Sequence, residues 1–415
     1  MIDFTYSEEV KATVEGVCQF IEREVLPLRE GFENPRELYE PSGWFALEMR
    51  KRKKTVRMRS AQAGHYTMFT PKELGGQGLG PLPCFIINYE IARRFGSRIF
   101  PSPFRADIIA NFGNGPNAMH MALTPQYKDK YLPGLLSGEL ASCFALTEPD
   151  AGSDVWMLKT RAEQKDGRWV INGRKMWISN APYADLATLF AVTDSEQVGR
   201  RRGGMTCFLV ETKAPGFDIE FVMPVWGELG SEEGAIALQD VAVPAEAMVG
   251  EIDHGFEVAL LGISLGRMMN GGQCTGLGEW ALLRALEYAR NRVTFGQPLI
   301  EHQAIQFMLA DSTLDVYAAK SLGLRCAWKA EQLYQEGGYR SMPAKEVALI
   351  KAYCVEAGER AIDRAIQIHG AKGFAKEMGI IDAYKLVRML RVPDGSAEIQ
   401  RRTIARRLIR GDVEL

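Results

Sequence analysis

Ser142–Asp154 reads SCFALTEPDAGSD and Gly167–Asn180 reads GRWVINGRKMWISN, and these stretches begin the change of texture that decides the fold. They are short, rich in β-branched and aromatic residues, and punctuated by turn signals such as KDGR and KAPG. The texture continues through DLATLFAVTD, GMTCFLVETK, FDIEFVMPV and AIALQDVAV to about Gly250. Short strands broken in this way predict a small antiparallel barrel or sandwich. On either side the apolar spacing turns helical, as in EVKATVEGVCQFIEREVLPL before it and AKEVALIKAYCVEAGERAIDRAIQIHG after it. The expected organisation is mainly α with a central β unit, a barrel or a sandwich: a helical domain over 1–138, the β unit over 139–252 and a second helical unit over 253–415.

The chain has 415 residues, enough for two or three structural units with a substantial core. Its 46% hydrophobic and 25% charged residues and net charge of −2 are those of an ordinary globular protein and argue against nucleic acid as the main partner. The start, MIDFTYSEEVKATVEG, carries acids where a signal peptide has basic and then apolar residues, and no later run is long and apolar enough for a membrane span. A cytoplasmic location without membrane insertion is expected. Seven scattered cysteines form no C-x-x-C pair and read as reduced core residues, and the five histidines never fall at i, i+4 spacing, so no local metal motif is present.

Several motifs fail on context. GISLG at Gly262–Gly266 fits G-x-S-x-G, but its flanks read as helix, whereas a hydrolase elbow needs a strand before the turn. LGGQGLG lacks the strand and the following acid of a dinucleotide loop. The basic run RKRKKTVRMR at Arg50–Arg59 reads as a solvated helix face and is assigned no site. What remains is on the β unit: the hydroxyls of Thr147, Ser153 and Ser179 on or beside strands, with the Trp177 ring nearby. Such donors beside an indole suit a planar, hydrogen-bonding ring such as a flavin; the same residues also fit a core tryptophan with turn serines.

Five segments in order extend the reading to the whole chain: LTEPDAGSD, INGRKMWISN, RVTFGQPLIEHQAIQFMLAD (Arg292–Asp311), QIHGAKGF (Gln367–Phe374) and DGSAEIQR (Asp394–Arg401). With them the chain resembles the acyl-CoA dehydrogenase family. The resemblance implies a helical N-terminal domain, a middle barrel and a C-terminal four-helix bundle. It also implies FAD, an acyl thioester of coenzyme A as substrate, an electron-transfer flavoprotein as acceptor, and a homotetramer built as a dimer of dimers. By position, Leu146 and Thr147 contact the flavin, Trp177 covers its ring and Ser179 offers a hydroxyl near its reactive nitrogen, while Ser153 faces coenzyme A. Arg292, Thr294, Phe295 and Gln303 match positions that hold the adenosine and pyrophosphate, where the planar fork of an arginine suits phosphate. In the family these groups come partly from a neighbouring subunit, as do Gln367, Gly370 and Ala371; at Ala371 relatives often carry a second glycine. Ser396 and Glu398 are assigned to the cofactor, and Arg267 and Gly395 to the substrate.

Asp394 sits in RVPDGSAEIQRR, on a Pro-Asp-Gly-Ser corner that turn chemistry alone accounts for. By resemblance it stands where most relatives carry the glutamate that removes the α-proton of the thioester. Relatives that place this base one residue before the arginine of the bundle helix offer no alternative here, because that neighbour is Gly266. An α-proton beside a thioester is weakly acidic, so a positioned carboxylate is worth on the order of 10² to 10⁴ in rate. Aspartate is shorter than glutamate by one methylene, roughly 1.5 Å, and Pro393 replaces an aromatic residue common in relatives. Both changes point to a cyclic, branched or otherwise bulky acyl group. Two alternatives stand beside this reading: a flavin oxidase of a non-CoA carbon acid, similar to nitroalkane oxidase, and a flavin-binding relative without activity.

Overall fold

The computed structural model describes residues 5–32 and 35–414, and the chain is mostly helical, at 57%. It forms two compact units. One contains Ile21–Leu79 and Ala106–Ile263; the other contains the chain up to Phe20, Gly80–Arg105 and Ser264 onward. No helix among the described residues is long and apolar enough to cross a membrane.

The first unit is built on one sheet: β1 (Ser142–Ala145), β2 (Arg161–Lys165), β3 (Arg168–Ser179), β4 (Leu186–Val192), β5 (Met205–Glu211), β6 (Phe217–Val222), β7 (Glu233–Pro244) and β8 (Met248–Val249). The order is β6-β7-β3-β2-β4-β5-β8, with β1 added parallel to β4. The expected closed antiparallel barrel is therefore corrected to an open, mixed sheet. Closure would require β6 to bond β8, and β8 spans only two residues, too few for a ladder that joins the ends. The middle of the sheet explains why LATLFAV and MTCFLV are buried at every position and apolar at all but Thr188 and Thr206. Ala187, Leu189 and Ala191 of β4 pack into one buried cluster with Phe208 and Val210 of β5. Leu186, Phe190 and Val192 pack into a second with Cys207 and Leu209. Side chains alternate across a strand, so a strand covered on both faces needs no polar positions.

The basic run needs correction in part, since Lys51, Lys54 and Arg59 are exposed as expected. Lys53 and Arg57 lie on the helix Leu47–Gln62 and are buried, not solvated. Lys53 Nζ pairs with Asp107 Oδ2 at 2.9 Å and with Glu232 Oε1 at 2.6 Å, and Arg57 Nη1 with Asp107 Oδ1 at 3.0 Å. Burial alone would lower the Lys53 ammonium, but Asp107 and Glu232 outweigh it and hold it above its ordinary value.

The second unit is helical, with Glu8–Phe20, Pro81–Phe95, Gln303–Gly337, Val355–His369, Ile380–Met389 and Ala397–Ile409, together with Gly255–Asn291 from Ser264 on. Val355, Ala357, Gly358, Ala361, Ile362, Ala365, Ile366 and Ile368 form the buried stripe of one of these helices, while Glu356, Glu359, Asp363 and Gln367 fall outside it. That is the spacing by which a helix faces a core. The helix ends at Gly370, whose φ of +60° a side chain would disfavour. Its N-terminal extension departs from α geometry as a π segment at Ile350–Cys354. GISLG lies inside the helix Gly255–Asn291, so the hydrolase elbow has no strand to stand on. All seven cysteines are buried.

Candidate functional site

Helix Ile380–Met389 ends just before Leu390, helix Ala397–Ile409 begins after Ser396, and the corner between them carries Asp394 and Gly395 with φ of +60° and +85°. Aspartate tolerates the left-handed region better than most residues. Glycine is required next to it: a Cβ on Gly395 would lie 2.6 Å from Gln400 Nε2 and 3.1 Å from an Arg267 guanidinium nitrogen. The Ser396 hydroxyl accepts from Ile399 N at 3.4 Å and starts the last helix. Three donors hold the corner. Arg267 Nε donates to the Asp394 carbonyl at 2.8 Å, and the buried Gln400 donates through Nε2 to the carbonyls of Asp394 (3.2 Å) and Gly395 (2.9 Å). Lys351, in the π segment, donates to the Leu390 carbonyl.

The Asp394 side chain is half-buried, and its Oδ2 accepts from Asn270 Nδ2 at 2.8 Å. Its Oδ1 accepts no hydrogen bond among the described residues, which leaves one carboxylate oxygen available to take a proton. Two cations face this group. Burial pushes the Arg267 guanidinium and the Lys351 ammonium below their ordinary values, and the charge of Asp394 works against that in both.

In the other unit, Lys175 and Glu148 form a buried ion pair at 2.8 Å. Lys175 Nζ also donates to the Leu146 carbonyl at 3.0 Å, while Glu148 accepts from the amides of Lys159 (2.6 Å) and Thr160 (3.0 Å). Burial drives Lys175 down to about 8, with Glu148 opposing the shift; burial would raise Glu148, but Lys175 and the amides hold it below its usual range. The pair fixes Leu146 and, one residue on, Thr147, whose carbonyl accepts from Met176 N at 3.0 Å. Between Lys175 and Ile178 the register of β3 on β7 slips, and in this bulge Trp177 adopts φ +61° and is 56% exposed. A bulky residue in that region is a genuine outlier, and bulges re-aim side chains. Here the bulge presents an indole outward, so the core-tryptophan alternative is excluded. Ser179 is exposed, with its hydroxyl 3.5 Å from Glu233 Oε1, and the Thr147 hydroxyl makes no hydrogen bond among the described residues. Ser153 is exposed on the loop after the Glu148–Ala151 bridge.

The remaining expected positions lie on the helical unit. Arg292 and Gln303 are exposed and Thr294 is half-buried. Thr294 belongs to the hairpin of β9 (Val293–Thr294) and β10 (Gln297–Pro298), at whose tip Phe295 and Gly296 have φ of +50° and +81° and Phe295 is 98% exposed. Gln367, Gly370 and Ala371 are exposed, as is Glu398. The structure brings Arg267, Asp394, Gly395 and Ser396 together in one unit, and Leu146, Thr147, Trp177 and Ser179 in the other.

Sequence reasoning missed Asn270, Gln273, Lys351 and the Lys175–Glu148 pair. Asn270 lies three residues beyond Arg267, one turn along the same helix face, and that spacing was a usable signal. Nothing local marked Lys351, 43 positions ahead of the aspartate in an apolar helix.

These donors fit a flavin by their chemistry: two hydroxyls and a presented indole suit a planar ring, and the exposed Arg292 with the open backbone at Gly370, where an added Cβ would meet nothing within 4 Å, suits a pyrophosphate. Comparison with known proteins agrees. The acyl-CoA dehydrogenase N-terminal, middle and C-terminal domain families match residues 7–139, 143–241 and 253–409. A probable acyl-CoA dehydrogenase of Bacillus subtilis is 30% identical, covering 99% of this chain and 100% of the relative. The (R)-benzylsuccinyl-CoA dehydrogenase of Thauera aromatica is 30% identical over 98% and 97%. A caffeyl-CoA reductase–Etf complex subunit of Acetobacterium woodii is 31% identical over 84% and 88%. Among solved structures, a glutaryl-coenzyme A dehydrogenase in complex with glutaryl-CoA superposes with a TM-score of 0.81 at 28% identity, covering 98% and 97% of the two chains. An acyl-CoA dehydrogenase from Bacillus anthracis complexed with FAD gives 0.82 at 27%, covering 99% of this chain and 69% of that one. An oxidase of a non-CoA carbon acid is not favoured by these relatives. With all three domain families matched in order and full-length relatives at 30% identity, the chain belongs to the acyl-CoA dehydrogenase family of FAD-dependent oxidoreductases acting on acyl-CoA thioesters.

Proposed function

We propose that this chain dehydrogenates a bulky acyl-CoA at its α,β-bond, with Asp394 as the base. The observation that carries the assignment is the asymmetry of its carboxylate: Oδ2 is held by Asn270, while Oδ1 is open on a corner fixed by Arg267 and Gln400. A base must be aimed before it can be effective, and three donors from two helices fix the aim. Bound FAD supplies the acceptor for the β-hydride. Thr147 and Ser179 would hold its ring by their hydroxyls and Trp177 would cover it, all on backbone that the Lys175–Glu148 pair and the β3 bulge keep in place. Arg292, Thr294, Phe295, Gln303, Gln367, Gly370, Ala371, Ser396 and Glu398 are assigned to the rest of the cofactor, and Ser153, Arg267 and Gly395 to the substrate.

The short aspartate and the unobstructed Pro393 support an acyl group wider than a straight chain. The likeness to a benzylsuccinyl-CoA dehydrogenase over nearly the full length of both chains supports the same reading. A homotetramer built as a dimer of dimers, with a neighbouring subunit covering the exposed Phe295 tip, belongs to the same reading. An electron-transfer flavoprotein as acceptor, a cytoplasmic location and division into domains at 138/139 and 252/253 complete the reading. Anaerobic addition of straight-chain, branched, cyclic and aryl acyl-CoA thioesters to the purified yellow protein tests it. Bleaching of the flavin absorbance by a bulky thioester, lost in Asp394→Asn with FAD retained, is the expected result. An Asp394→Asn protein that still bleaches at the parent rate refutes the base assignment.

A further inference from the structure

The hydrogen bond to Asp394 Oδ2 is the end of a longer chain, and its consequence rests on the reading of Asp394 as base. Asn270 Nδ2 donates to Asp394 at 2.8 Å; Gln273 Nε2 donates to Asn270 Oδ1 at 2.8 Å; Arg105 Nη1 donates to Gln273 Oε1 at 3.1 Å. Asn270 and Gln273 are buried, at 6% and 2% exposure, so water does not compete for these groups. A carboxamide can present either its oxygen or its nitrogen, but a guanidinium has donors only. Arg105 therefore turns the Gln273 oxygen toward itself. That leaves the Gln273 nitrogen facing Asn270, which turns the Asn270 oxygen back and its nitrogen forward. Each link has one allowed orientation, and the last link always offers Asp394 a donor.

We propose that Arg105, Gln273 and Asn270 form a one-way hydrogen-bond chain that reserves Oδ2 of Asp394 as the held atom and Oδ1 as the atom that receives the substrate proton. In that transfer the substrate α-C–H bond breaks and an Oδ1–H bond forms, while the electron pair moves into the acyl group to make the α,β double bond; bound FAD would accept the hydride that the β-carbon gives up. A carboxylate proton on Oδ2 would set O–H against N–H, and the anchored amide cannot rotate to accept it. These three are positioning residues: they act through Asp394, by fixing which of its two oxygens is held. The charges that face Asp394 from other elements are Arg267 and Lys351. Arg391 is committed to Glu356 and Glu359, Arg401 to Glu356, and Glu398 is exposed.

Gln273→Glu tests the direction of the chain. The new carboxylate still accepts from Arg105 but has no N–H for Asn270, so two acceptor-only groups compete for the Asn270 nitrogen and its hold on Oδ2 is no longer fixed. Gln273→Met breaks the same link without adding charge and separates loss of direction from a through-space field. In both variants the acid limb of the kcat/KM profile against pH is expected to move up by about 1 to 2 pH units, the size of one charge-assisted hydrogen bond. kcat at pH 7 is expected to fall about tenfold or more, with FAD content and KM near the parent's. A Gln273→Met enzyme that folds, holds FAD and keeps the parent's acid limb overturns the proposal; if neither Gln273 variant folds, Asn270→Ala with the parent's acid limb overturns it instead. Asp394→Asn in the same assay separates the two levels. If it remains active, the base assignment is wrong; if it is inactive while the Gln273 profiles are unshifted, only the chain is wrong.

Discussion

Glu148→Gln puts the buried pair beneath the Leu146–Thr147 backbone to a quantitative test. The substitution keeps the shape of the side chain but removes its charge, so the fully buried Lys175 ammonium is left with neutral acceptors alone. Removing one partner of a buried pair costs about 3–5 kcal/mol, because the other charge stays desolvated. The lysine sets the pH dependence. Its folded value of about 8 lies below the ordinary 10.5. The unfolded chain therefore holds that proton more tightly, so the contribution of Lys175 to the parent's stability is lowest below pH 8 and climbs between about 8 and 10.5. At 1.36 kcal/mol per pH unit that climb is about 3 kcal/mol. Without Glu148 the folded value falls further, so the climb begins at lower pH. The deficit of the variant relative to the parent is thus larger at pH 6 than at pH 9, where the lysine is mostly neutral in both folded proteins. Urea denaturation of parent and variant at pH 6 and pH 9, at fixed flavin concentration, reads both quantities. A variant within 1 kcal/mol of the parent at pH 6, or a deficit that grows toward pH 9, refutes the reasoning.

Asp107→Asn leaves Lys53 and Arg57 sharing a neutral amide, and a loss of about 3 kcal/mol is expected in urea denaturation. Gly395→Ala forces a side chain into backbone at φ +85° and against Gln400; strain of about 1–3 kcal/mol displaces Asp394, so kcat is expected to fall at least tenfold while bound FAD, measured by absorbance, is unchanged. Phe295→Ser removes the exposed aromatic at the hairpin tip, and gel filtration is expected to show a smaller assembly that sheds flavin on dilution.

The alternation of helical and strand texture, and the place of the β segment within it, were legible because period 3.6 and period 2 are local properties of the chain. Asp394 is proposed on another ground: its Pro-Asp-Gly-Ser corner stands where the family resemblance puts the base. The closed barrel was wrong because closure depends on whether the first and last strands are long enough to meet, and Met248–Val249 gives no sign of its length in periodicity. Within Arg50–Arg59 the solvated face holds for Lys51, Lys54 and Arg59 but not for Lys53 and Arg57, because helical spacing cannot reveal that Asp107, 50 residues beyond Arg57, lies beneath them.

By itself the sequence determined which segments are helix and which are strand, the family, and the acid at position 394. Which oxygen of that acid is free, and what aims it, only the tertiary structure decided. Arg105, Gln273, Asn270 and Asp394 span nearly three hundred positions, and hydrogen-bond direction is a property of neighbours in space, which no spacing along the chain encodes.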